Sequence, residues 1–393
     1  MQNKPELIVF SQNLLGGGAS FHRNMLSHFP KDFFDIKCIY VSPSNWQGAK
    51  ALDLVLNPRD IIFPYGNEGS RATAKNLETH ISNKEGAIVA NLETELICLD
   101  LYRKKNKTIY FICHDDGFIN LAVKYESIID IFITHNITVY NELIALLPKR
   151  KDDIHFIQHG VKVQIFEKQF RDNQKLRIVF LARHHAFKGI YDLPVINDIL
   201  VKKGVQVEWT ILGDGPERTN LMQKVADCDN FKFDIPKTSD EVVDILKMQD
   251  VFILPSKADG LPVALLESMS VGCVPVLANF SEGIKKVVTD QIGFVLPVGD
   301  NALFAAKIAL LSQDRDLLKN LSRHSIEKVK EEFDIEKQAL EYFDLYKKYK
   351  QLRRNHHLGL KDLQRILSYS SYYNKLIYSF KAVQNKLGLK NSA

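Results

Sequence analysis

Ser256-Lys257-Ala258-Asp259-Gly260-Leu261-Pro262-Val263-Ala264-Leu265-Leu266-Glu267-Ser268-Met269 is the stretch that decides how the rest of the chain is read. The apolar run before it, Val251-Phe252-Ile253-Leu254-Pro255, reads as a buried parallel strand. Pro262 then opens an apolar helix at a first-turn position, where a missing N–H costs nothing. The loop between them joins the carboxyl end of a strand to the amino end of a helix. Backbone N–H groups at Leu261, Val263 and Ala264 point out of that end with the helix dipole behind them, which suits a phosphate or a sugar hydroxyl. Glu267 lies about a turn and a half inside the helix. A carboxylate among Leu265, Leu266 and Met269 is costly unless something satisfies it.

Upstream, Arg177-Ile178-Val179-Phe180-Leu181-Ala182 is a second apolar strand, followed by Arg183-His184-His185-Ala186-Phe187-Lys188-Gly189. Arg183 and Lys188, two cations at one strand end, can converge on a single diphosphate, Arg as a bidentate fork and Lys as a compact charge. Val205 to Leu212 reads as a strand before Gly213-Asp214-Gly215-Pro216-Glu217. Gly213 and Asp214 either edge a nucleotide pocket or form a plain turn with a helix-start proline. Phe231-Lys232-Phe233 is a short strand, Ser239 with Asp240 and Glu241 starts a helix to Met248, and 301–311 and 316–330 are amphipathic helices.

The first half alternates in the same way. Strands are predicted at 7–10, 36–40, 87–90, 108–112, 129–133 and 155–157, with helices at 71–81, 95–104 and 141–147. Such alternation implies parallel, doubly wound sheets with ligands at the strand carboxyl ends. Gly16-Gly17-Gly18 follows the first strand and precedes a helix from about Phe21, letting the backbone approach a ligand closely, although the spacing is not GxGxxG. Cys113-His114-Asp115-Asp116-Gly117 ends another strand. Asp227-Cys228-Asp229 and Asp314-Arg315-Asp316 fall at a helix end and in a charged helix rather than at a strand end, so no metal is expected. Asn136, Glu142 and Arg150 read as surface residues, and the polar run from Glu167 to Lys175 as a linker.

The 393 residues allow two domains, and 45% apolar with 25% charged residues is ordinary for a soluble globular chain. A net charge of +5 is too mild to imply nucleic acid as a partner. Five cysteines without CxxC spacing argue for reduced, buried thiols, and no apolar run approaches the ~20 residues of a membrane span. Without a signal-peptide layout the chain reads as cytoplasmic. After Lys350 the sequence is basic. Leu363, Ile366, Leu367, Tyr373, Leu376, Ile377, Phe380, Val383 and Leu387 recur at helical spacing, which fits either an amphipathic helix on an anionic membrane surface or packing on the first domain.

Taken together, the order and spacing of these motifs resemble the GT-B retaining glycosyltransferases of the family-4 type over about residues 7–345. In that family's acidic signature two Glu residues, separated by seven, follow a strand ending in Pro-Ser; Asp259 stands where the first Glu is usual, and Glu267 takes the second place. The resemblance implies a GT-B, α/β fold with two doubly wound Rossmann-like domains facing a cleft. The expected division is 1–168 on the acceptor side, 169–335 on the donor side, and 336–393 as crossover helices with a basic amphipathic tail. It further implies a hexosyltransferase that moves a sugar from a nucleotide-sugar donor, UDP before GDP, to a glycan or lipid-linked acceptor in cell-surface polysaccharide or lipopolysaccharide synthesis. No cofactor is implied. Arg183 and Lys188 would hold the diphosphate and Glu267 the ribose. Asp259, Gly260, Leu261, Pro262 and Val263 would hold the donor sugar, with Gly17, Gly18, Gly213 and Asp214 lining its site and His114 reaching it from the other domain. Two alternatives share the fold: a sugar-nucleotide epimerase, and a non-catalytic sugar-nucleotide binding paralogue.

Overall fold

The computed structural model describes residues 4–13, 17–45, 57–170, 175–281, 283–356 and 359–369. The first half comprises β1 (Glu6–Ser11), α1 (Gly17–Ser27), β2 (Asp35–Pro43), β3 (Ile61–Tyr65), α2 (Ser70–Glu78), β4 (Gly86–Ala90), α3 (Glu93–Leu101), β5 (Lys107–Cys113), α4 (Ile119–Lys124), β6 (Ile131–Thr134), α5 (Ile137–Leu146) and β7 (Ile154–Phe156). Its strands form one seven-stranded parallel sheet in the order β3-β2-β1-β4-β5-β6-β7. Leu7, Ile8, Val9 and Phe10 are all fully buried, because helices cover both faces and every side chain of β1 enters a core.

The second half comprises β8 (Leu176–Leu181), α6 (Asp192–Lys202), β9 (Val207–Leu212), α7 (Arg218–Lys224), β10 (Phe231–Asp234), α8 (Ser239–Lys247), β11 (Val251–Leu254), α9 (Val263–Ser270), β12 (Val274–Ala278), α10 (Ile284–Val287), β13 (Phe294–Leu296), α11 (Asn301–Gln313) and α12 (Arg315–Glu332). A six-stranded parallel sheet runs β10-β9-β8-β11-β12-β13. In both sheets the chain starts near the centre, builds outward, then returns to build the other side. The strand order therefore reverses beside β1 and beside β8, where a doubly wound sheet opens a crevice.

Several elements depart from the sequence expectations. β3 carries Pro64 and was not expected as a strand; it pairs with β2 alone at the sheet edge, where a missing N–H is tolerated. α1 starts at Gly17 rather than about Phe21, so Gly17 and Gly18 form its first turn. The cap of α8 is Thr238, not Ser239: the Thr238 hydroxyl accepts the Glu241 N–H at 3.1 Å. Arg150 is no surface residue. It is buried, pairs with Asp153 at 2.6 Å, and donates to the carbonyls of Glu126, Ile129 and Asp130. Asn136 is buried too and caps α5 through the Thr138 N–H at 2.8 Å.

The two halves are tied where Val161 donates to the Phe333 carbonyl at 2.8 Å and accepts from the Ile335 N–H at 3.1 Å. From there α13 (Ile335–Lys347) packs against the first sheet, with Ala339, Tyr342 and Tyr346 in one core with Leu7, Val9 and Phe21. After the short α14 (Tyr349–Leu352), α15 (Leu360–Ser368) sits on the first half by its polar stripe. Arg365 donates twice to Asp100 at 2.8 Å, and Ser127 donates to Asp362 at 2.5 Å. Leu360, Leu363 and Leu367, on the opposite stripe, are exposed. Tyr373 to Leu387 lie outside the described residues, and no helix among those described is long and apolar enough to cross a membrane.

Candidate donor site in the cleft

The second sheet contributes two loops that are joined to one another. The Lys257 N–H and the Ser256 hydroxyl both donate to the Phe187 carbonyl, at 2.8 and 3.2 Å. Gly189 makes this approach possible. It holds φ 74°, and a side chain there would lie 2.1 Å from the Pro255 carbonyl oxygen. The joining brings the Lys188 Nζ to 2.5 Å from Asp259 Oδ2, with both side chains largely buried. Arg183 stands exposed at the end of β8. Gly213 and Asp214 brace this strand end: a side chain on Gly213 would meet the Ala182 carbonyl at 2.3 Å, and the Asp214 carbonyl accepts the His184 N–H at 2.8 Å.

Pro262 caps α9 with φ −65° and no side-chain hydrogen bond. Among the described residues the N–H groups of Leu261, Val263 and Ala264 meet no acceptor, so the helix end presents donors to whatever enters. Glu267 follows one turn in, and burial lifts its carboxyl to about 7 against the opposing pull of Arg23 from α1. Among the described residues its carboxylate meets no hydrogen-bond donor. A desolvated carboxylate in want of donors matches a pair of ligand hydroxyls.

The first sheet offers imidazoles instead of charges. His114 follows β5, and its main chain faces the second half: a side chain on Gly260 would lie 3.5 Å from the His114 carbonyl oxygen and 3.6 Å from the Asp115 Cβ. Asp115 thus comes near Asp259 and Lys188, and its carboxyl is raised chiefly by desolvation, with Asp116 and Asp259 adding. The His114 ring, by contrast, is bound within its own half. Its Nε2 is 2.9 Å from Asn91 Oδ1 and its Nδ1 is 3.3 Å from His135 Nε2. His135 in turn meets the Tyr342 hydroxyl at 2.7 Å, and the His159 ring lies over it with centroids 3.7 Å apart. His114, His135 and His159 offer ring nitrogens within 4.8 Å of one another, which is metal-ligand spacing among the described residues.

Lys188, Asp259, Gly260, Leu261, Pro262, Val263 and Glu267 therefore share one cleft wall, with Arg183 at the neighbouring strand end; Gly213 and Asp214 stand behind it and His114 stands opposite. Asn91, His135, His159 and Tyr342 were not anticipated. His135 directly follows the apolar run of β6, and the rule that polar residues at strand ends are candidates would have found it. A separate cavity of about 260 Å³ opens beside the end of β3, lined by Tyr65, Asn67, Ser70, Thr73, Thr94 and Ile97.

Residues 161–328 match the family described as glycosyl transferases group 1. The amylovoran biosynthesis glycosyltransferase AmsK of Erwinia amylovora is 33% identical over 186 residues, 44% of this chain and 45% of the relative. An Escherichia coli UDP-Gal:alpha-D-GlcNAc-diphosphoundecaprenol alpha-1,3-galactosyltransferase is 28% identical over 154 residues, 39% of each chain. The chain thus spans less than half the length of these two curated relatives. Anabaena Alr3699/HepE, solved with UDP and glucose, superposes with a TM-score of 0.70 at 15% identity, covering 87% of this chain and 99% of that one. The fold is GT-B: two parallel-sheet α/β units facing across a cleft.

Proposed function

We propose that the chain is a retaining hexosyltransferase that moves a sugar from a UDP-sugar to a hydroxyl of a glycan or lipid-linked acceptor in polysaccharide synthesis. One observation carries this: Lys188, Asp259, the N–H groups opening α9 and Glu267, the last two without a hydrogen-bond partner among the described residues, share one wall of a GT-B cleft. A diphosphate there would displace Asp259 from Lys188 and gain Arg183 as a second cation, so developing negative charge on the leaving group is stabilised by protein donors without a metal. Glu267 would accept from the ribose hydroxyls. Asp259, released from Lys188, would turn to the donor sugar beside the Gly260 and Leu261 backbone. His114 would face that sugar from the first half.

The names of the relatives support the substrate classes. AmsK acts in amylovoran biosynthesis, the galactosyltransferase uses UDP-Gal and a diphosphoundecaprenol acceptor, and HepE binds UDP and glucose. The acceptor would bind on the first half, where the cavity beside β3 offers room for one of its sugars. The exposed leucine stripe of α15 would rest on an anionic membrane surface, presenting the cleft to a lipid-linked acceptor from the cytoplasmic side. The test is incubation with a panel of UDP-hexoses and a bacterial lipid extract, followed by NMR of the anomeric proton in the product. An α-linked product from an α-linked donor is expected. An inverted linkage would remove the retaining mechanism, and an isomeric UDP-sugar formed without acceptor would identify an epimerase.

A further inference from the structure

Two aspartates bracket Gly260 from opposite halves of the cleft. Asp259, on the second half, accepts the Gly260 N–H on Oδ1 at 3.1 Å and pairs with Lys188 through Oδ2 at 2.5 Å. Asp115, on the first half, follows His114 just beyond β5, and a side chain on Gly260 would lie 3.6 Å from its Cβ. That is ordinary van der Waals distance, so the two loops meet at this point. Their charges act on one another. Desolvation raises the Asp115 carboxyl and the Gly117 N–H pulls it back, while Asp116 and Asp259 raise it further and Lys188 opposes them.

Asp115 has a local task that occupies one oxygen. Its Oδ1 accepts the Gly117 N–H at 2.9 Å and caps the single 3-10 turn Asp116–Phe118. An asparagine would cap this turn as well, because a cap needs an oxygen and not a charge. The Oδ2 of Asp115 meets no donor among the described residues, and the residue is exposed, so a ligand in the cleft can reach it. Lys188 acts on both carboxylates. A diphosphate that takes Lys188, as proposed above, leaves Asp115 and Asp259 on either side of Gly260 without that cation and beside a further anion. Carboxylates so placed need donors that bring no negative charge, and sugar hydroxyls supply them.

We infer that Asp115 is a specificity-determining residue of the donor site, which accepts a hydrogen bond from a hydroxyl of the transferred sugar on the side opposite Asp259. This rests on the donor-site reading above and adds a grip from the first half. The sugar is then held between two carboxylates, one from each half, and is fully held only when the halves are together. A nucleoside diphosphate without its sugar reaches Lys188 and Glu267 but not Asp115. The residue therefore discriminates a nucleotide sugar from the bare nucleotide.

The test is calorimetry of UDP, UDP-glucose, UDP-galactose and UDP-N-acetylglucosamine on the full chain, comparing the wild type with Asp115→Asn and Asp116→Asn. UDP should bind all three proteins within a few-fold. The tightest-binding UDP-sugar should lose about tenfold against UDP in Asp115→Asn, where a neutral amide replaces a charge-assisted acceptor. Asp116→Asn removes the neighbouring carboxylate and should leave that ratio unchanged. Because Asp115→Asn keeps the cap of the turn, a purely structural role would not move the ratio either. An unchanged ratio in Asp115→Asn, with UDP bound normally, would overturn the inference and leave the donor site standing. Equal losses for UDP and the UDP-sugars would also overturn it, as would an equal fall in Asp116→Asn, which would mark a general field rather than a contact. UDP-sugar binding that vanishes with EDTA and returns with Mg²⁺ would put a cation between the carboxylates in place of hydroxyls, and overturn it too. A wild type that binds no UDP would remove the donor-site reading, and the inference with it.

Discussion

The two walls of the cleft solve the burial of polar groups in opposite ways. On the second half the groups are charged and held short of completion: Lys188 is paired with Asp259, Glu267 meets no donor, and three backbone N–H groups have no acceptor among the described residues. On the first half His22, His114 and His135 are neutral and joined through Asn91 and Tyr342, and the His159 ring packs over His135. An unsatisfied buried group is costly, so a fold keeps such groups where a ligand completes them. An anion would complete the charged wall, as proposed above, whereas the imidazole wall largely completes itself.

The difference can be broken at its support. Gly189→Ala places a Cβ 2.1 Å from the Pro255 carbonyl at a backbone conformation that disfavours side chains. Destabilisation of about 3 kcal/mol or more is expected, read by urea unfolding. An effect below about 1 kcal/mol would mean that the two loops are not rigidly joined. A smaller effect sharpens the contrast in charge. Glu267 titrates at about 7 in the fold against 4.5 when unfolded. Between those values the unfolded chain has given up a proton that the folded chain keeps, so this residue makes stability fall as pH rises through the window. Glu267→Gln removes that slope and should stabilise the chain above pH 7, on the order of 1 kcal/mol after allowing for partial solvent contact, with no gain below pH 4.5. Equal gains at both pH values would show that the carboxyl is not desolvated.

The same contrast explains what the sequence made legible. The charged wall is written locally: Arg183 and Lys188 are five residues apart, Asp259 and Glu267 eight, each pair beside an apolar strand. The imidazole wall is assembled from six separate segments, and Tyr342 is 207 residues from the His135 it contacts. Neither residue sits in a motif, and a tyrosine in an amphipathic helix looks like any other core residue. β3 was hidden by its proline, and the start of α1 by glycines that usually mark a turn. Arg150 looked like surface charge because nothing local shows that three carbonyls converge on it.

UDP binding by calorimetry, on the wild type, Lys188→Ala and Asp259→Asn, bears most directly on the donor wall. UDP should bind the wild type, lose about 100-fold or more in affinity with Lys188→Ala, and stay within a few-fold of wild type with Asp259→Asn, which removes only the group that UDP displaces. No binding by the wild type, or equal binding by Lys188→Ala, would contradict the assignment of this cleft wall to the diphosphate.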